Sequence, residues 1–68
     1  MSSDNTVVVQ RHGKSWHVWM ALGDEEEAWR PSGPWHKSFM DELDAIHYAQ
    51  EVCDKEVVEY GIVVLPPQ

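Results

Sequence analysis

Ser15-Trp16-His17-Val18-Trp19-Met20-Ala21-Leu22 is the stretch on which the reading of this chain turns. Its β-branched and aromatic residues predict a β-strand, and a strand sends successive side chains to opposite faces. Trp16, Val18, Met20 and Leu22 then share one face, while Ser15, His17, Trp19 and Ala21 share the other. The first set is the core face. A chain of 68 residues usually covers only one side of a small sheet. Trp19 is therefore expected on a surface, where a large aromatic marks a binding site.

Working outward, Thr6-Val7-Val8-Val9-Gln10-Arg11 forms a second β-branched run, joined to the first through His12-Gly13-Lys14. The two runs predict a β-hairpin in which Gly13 supplies the positive φ of a tight turn. Met1 to Asn5 (1–5) is polar and expected to fray. After the tryptophan strand, residues 23–37 hold an acidic run, two prolines and two glycines, which predict a long loop. Trp29 and Trp35 lie in that loop, either folded back over the core or exposed for binding.

From Ser38 the apolar spacing becomes helical, with Phe39, Leu43, Ile46, Ala49 and Cys53 as a stripe widened by Ala45 and Val52. Ser38 followed by Asp41 resembles a capping box, and Asp41, Glu42 and Asp44 suit the positive end of the helix dipole. Val57 to Leu65 reads as a last strand, with Gly61 marking a bulge and Pro66-Pro67 closing it. The fold class is α+β in one small domain, 1–68. It is read as a three-stranded, mainly antiparallel sheet with one helix on one face, in the order β-β-α-β. The open face would carry Val8, Trp19 and an alternate set from the last strand; Trp29, Trp35 or the C-terminal tail are the segments that could cover it instead.

Composition narrows the function. Twelve acidic against five basic side chains leave a net charge of -7, which repels phosphate backbones and disfavours nucleic acid as a partner. The acidic run Asp24, Glu25, Glu26 and Glu27, with Asp44 and Glu51 on the helix, is either a solvated surface or one recognised by a basic groove. The single Cys53 cannot form an intramolecular disulfide, which points to a reducing, cytoplasmic setting. No apolar run approaches the roughly 20 residues of a membrane span.

Catalytic and metal signatures are weak. His12, His17, His36, His47 and Cys53 match no zinc spacing, and His47 and Cys53, six apart on a helix, point about 120° apart. A metal site would need His12 or His17 to meet His36 in space. Cys53 on the apolar stripe reads as a buried, inert thiol. Asp24 to Glu27 lack the apolar surroundings that raise a carboxyl pKa for acid catalysis, and Ser32-Gly33-Pro34 lacks phosphate-loop spacing. No catalytic residue, metal ligand or cofactor is assigned.

The set Val7-Val8-Val9, Gly13, Trp16-His17-Val18, Phe39 and Asp44-Ala45-Ile46-His47-Tyr48-Ala49-Gln50-Glu51-Val52 resembles a family of uncharacterised small bacterial and phage domains. That resemblance implies an α+β fold and no activity. The chain is also loosely similar to the arm-type DNA-binding domains of integrases, which would imply sheet contact with DNA. The acidic charge and the Asp24 to Glu27 run depart from that pattern. The expected function is a small non-catalytic interaction module. It would bind a protein partner, or itself as a homodimer, through Val8, Trp19, Trp29 and Trp35. The alternatives are an acidic phage-type inhibitor or nucleic-acid mimic, and a sheet-mediated nucleic-acid binder.

Overall fold

A two-residue turn organises the first half of the molecule, which is described here as a computed structural model covering residues 5–23, 29–31, 33, 35–56, 58 and 60–68. Strands β1 (Asn5–His12) and β2 (Ser15–Leu22) pair antiparallel across Gly13 and Lys14, from His12 opposite Ser15 to Asn5 opposite Leu22. Gly13 takes a φ of 62°, the left-handed value that hairpin turns assign to glycine. Strand β3 (Lys37–Phe39) pairs antiparallel with β2, helix α1 (Glu42–Lys55) follows, and strand β4 (Ile62–Val64) pairs parallel with β1. The fold is α+β, one helix with a four-stranded mixed sheet in the order β3-β2-β1-β4.

The sequence-based expectation of three mainly antiparallel strands is corrected in two places. β3 occupies the end of the expected loop and the expected start of the helix, so Ser38 and Phe39 are strand residues. Three residues are too few to display alternation, and β3 is held mainly by pairing with β2. Asp41 is the residue that caps α1, in extended backbone and with no side-chain cap bond; its carbonyl accepts from the Ala45 N–H at 3.2 Å. The last strand is also shorter than expected. Gly61 turns the chain into it with a φ of 73°, and its carbonyl accepts from the Val7 N–H at 2.9 Å. Positions 57 and 59 of the expected strand lie outside the described residues.

One face of the sheet packs on α1. Val7, Val9, Val18 and Met20 meet Ala45, Ala49 and Val52, with Trp16, Phe39, Ile46, Tyr48, Cys53, Val58 and Ile62 closing the edges. Small helix residues let the backbone of α1 approach a sheet that already supplies bulky Trp16, Phe39 and Met20. For that reason Leu43, expected in the stripe, is 71% exposed, and the true buried line runs through Ala45, Ala49 and Val52. Leu22, expected on the core face, sits at a strand end and is exposed.

The other face is covered as well, which overturns the expected open aromatic surface. Val8 and Trp19 are completely buried with Ala21 beneath Trp29 and Leu65. The chain after β4 continues beside β1: the Leu65 N–H donates to the Val9 carbonyl and the Gln68 N–H to the Arg11 carbonyl, both at 2.9 Å. The Gln10 side-chain amide donates to the Pro66 carbonyl at 2.9 Å and pins this tail across the face. Of the segments that could cover the sheet, Trp29 and the tail therefore do so.

Burial makes a direct prediction. Trp19→Ala should cost about 3 to 5 kcal/mol, as expected for emptying a large aromatic site, whereas Leu43→Ala should stay within about 0.5 kcal/mol of the parent. Urea unfolding of both variants measures this; a Leu43→Ala cost equal to that of Trp19→Ala would place the helix on the wrong side.

Candidate functional site

Hairpin register sets the first half of the polar surface. Gln10 lies opposite His17 and His12 opposite Ser15, so His12 and His17 are diagonal neighbours on the face that also carries Trp19. β3 adds Ser38 opposite His17, and His36 precedes it by two residues. The His36 N–H donates to the Gly33 carbonyl at 3.3 Å, and Trp35, just before His36, has a φ of 64°. That conformation is costly for a bulky side chain and persists only where its surroundings hold it. Here the Tyr48 hydroxyl donates to the Trp35 carbonyl at 3.0 Å. This backbone delivers His36 to His17.

The three imidazoles are in direct contact. His17 Nδ1 and His36 Nε2 share a hydrogen bond of 3.0 Å, with the rings nearly parallel and their centroids 5.3 Å apart. His12 meets His17 edge to face at 5.1 Å. Its Nε2 lies 2.8 Å from Gln10 Oε1. The protonation pattern follows by elimination. Pro66 offers only a carbonyl, so the Gln10 amino group must face it; Gln10 Oε1 must then accept, and His12 must donate from Nε2.

Burial pushes the His17 pKa below its ordinary value, and the neighbouring charges of His12 and then His36 lower it further. A second reason opposes full protonation. With both rings charged, two N–H groups would point at each other across the 3.0 Å contact.

The other candidate surface lies at the entry to α1. Met40 is 73% exposed and Leu43 71%, and Trp35 stands nearby in sequence with its ring partly open. Acidic residues Asp41, Glu42 and Asp44 neighbour them in sequence, all exposed, and Glu51 and Asp54, also exposed, carry further negative charge on the helix. Lys37 places its ammonium 5.3 Å from the Tyr48 ring centre and 5.6 Å from that of Phe39. Burial, then the Glu51 charge, raises the Tyr48 pKa and keeps its hydroxyl protonated as a donor.

The residues expected to bind thus separate. Val8 and Trp19 are interior, Trp29 is half-buried against them, and Trp35 alone of the four is exposed. Asp44 and Glu51 are exposed on the helix, and Asp24, Glu25, Glu26 and Glu27 lie outside the described residues. His47 is exposed on α1, apart from the other histidines; Cys53 is half-buried, its thiol pKa raised by burial and then by Asp54, in keeping with an unreactive thiol. Comparison with protein-family models, curated proteins and solved structures finds no match.

The His17 shift has a defined sign. A histidine whose folded pKa is depressed contributes stability that is complete above the unfolded value near 6.5 and is lost as pH falls through the folded value. The parent should therefore lose more stability between pH 7.5 and pH 5 (about these values) than His17→Gln does. Urea unfolding at both pH values, with ring-proton NMR titration, would show it; His17 titrating at or above the ordinary histidine value would contradict the burial assigned to it.

Proposed function

We propose that this domain is a non-catalytic protein-interaction module whose contact surface is the entry of α1, built on Met40 and Leu43 with Trp35 beside them. The observation that carries the reading is that two large apolar side chains, each more than 70% exposed, alternate with the exposed acidic residues Asp41, Glu42 and Asp44 at the start of α1. An amphipathic helix end of this kind fits an apolar groove bordered by lysines or arginines, with charge steering the encounter and the apolar side chains holding the complex. The same acidic residues oppose a second copy of the chain in that position, so a basic partner is favoured over a homodimer. A half-buried free cysteine suits a cytoplasmic setting. Among the described residues no helix is long and apolar enough to cross a membrane.

Variant-dependent capture tests the reading. Immobilised parent should retain a basic protein from a lysate of the source organism that Met40→Ser/Leu43→Ser fails to retain, while Asp44→Asn/Glu51→Gln should retain it with weaker dependence on salt. The apolar double variant should lose about tenfold or more in affinity, and both variants should melt close to the parent because the sites are exposed. Unchanged capture by Met40→Ser/Leu43→Ser, or a parent that is dimeric by light scattering, would move the interface elsewhere.

A further inference from the structure

We propose that His17 and His36 form a two-nitrogen chelating site for a divalent transition-metal ion of the borderline class that imidazole favours, such as Ni2+, Cu2+ or Zn2+. The site is independent of the α1 surface and rests on a different observation, the convergence of ring nitrogens on the second face of the sheet. His17 Nδ1 and His36 Nε2 face each other 3.0 Å apart. Nitrogens bound at about 2.0 Å stand about 2.8 Å apart in adjacent square-planar positions and about 3.3 Å apart around a tetrahedral ion. The observed spacing falls between the two, but the centroids 5.3 Å apart place both nitrogens nearly end to end, so each ring must swing by about 35 to 45° to aim its lone pair at an ion seated beside the N···N line.

Proton accounting is favourable. In the neutral pair one ring places its N–H in the bridge, and on metal binding that proton moves through water to the same ring's outer nitrogen. Two neutral imidazoles then coordinate with no net proton release. His17 is half-buried and in direct ring contact with both His12 and His36, which holds its Nδ1 beside the His36 ring. Among the described residues the titratable group in ring contact with the pair is His12 from β1; Ser38 stands opposite His17 in the register.

His12 acts as a positioning residue. Its Nε2–H is committed to Gln10, which is itself anchored on the Pro66 carbonyl, and its ring buttresses His17 edge-on. This is the kind of outer support that orients metal-binding imidazoles. Among the described residues no three His, Cys, Asp or Glu side chains are grouped to hold a metal ion. Water therefore fills the remaining coordination positions, and affinity is that of a bidentate site.

Calorimetric titration of the intact chain with Ni2+ near neutral pH should give one equivalent of binding. His17→Gln and His36→Gln should each weaken it by about tenfold or more, and His47→Gln should leave it unchanged. Paramagnetic broadening should strike the His17 and His36 ring protons first. Because His17 is half-buried, the exposed His36→Gln variant provides the decisive comparison, with its fold checked by circular dichroism. Parent affinity no tighter than that of His17→Gln/His36→Gln, or loss of binding on His47→Gln alone, would overturn the site.

Discussion

Burial of β1 on both faces is the constraint on which the rest of this fold depends. Val7, Val8 and Val9 are all completely inaccessible, yet successive strand residues point to opposite sides. Two separate coverings are needed in a chain of 68 residues, and only one of them is a helix. The second is assembled from Trp29 and the segment after β4, held along β1 by backbone pairing and by the Gln10 bond to Pro66. β1 is also central within the sheet: the hairpin lays β2 antiparallel along one edge, and the connection through α1 returns β4 parallel along the other.

That constraint was partly legible. The hairpin, its glycine turn and the helix follow directly from β-branched runs, Gly13 and apolar spacing, and the structure contains each of them. The uninterrupted Val7-Val8-Val9 run was the available sign that both faces are covered, because a half-exposed strand would alternate with polar residues. Giving that run more weight than chain length would have placed Trp19 inside. The helix face was harder to read. Counting large apolar residues favours Leu43, but a helix lying on a sheet that supplies Trp16, Phe39 and Met20 has room for alanine, and alanine carries almost no weight in such a pattern. β3 gave no signal, being three residues long and next to a proline-rich loop.

The same reasoning separates the legible from the hidden part of the histidine cluster. A two-residue turn at Gly13-Lys14 makes His12 and His17 diagonal neighbours by register alone, so that half follows from the hairpin. His36 joins them only because β3 docks on β2 and because a turn with Trp35 at a φ of 64° aims it inward. Neither feature has a sequence signature, since glycine or asparagine would normally mark that turn position. A bulky residue kept in a strained conformation next to interacting imidazoles places local cost beside local chemistry.

The second face of the sheet is thus divided along its length, and the division follows from the cross-strand pairs. Val8 opposite Trp19, with Ala21 next along β2, forms an apolar end that the tail and Trp29 can seal. Gln10 opposite His17 and His12 opposite Ser15 form a polar end that no apolar segment could cover without stranding hydrogen-bonding groups. Gln10 stands at the boundary and serves both, fastening the tail through its amide N–H and orienting His12 through its carbonyl. Stability at one end and open imidazoles at the other are therefore linked through a single side chain. Removing it would loosen the cover over Trp19 and release the His12 ring together, which neither end would show if it were an independent surface.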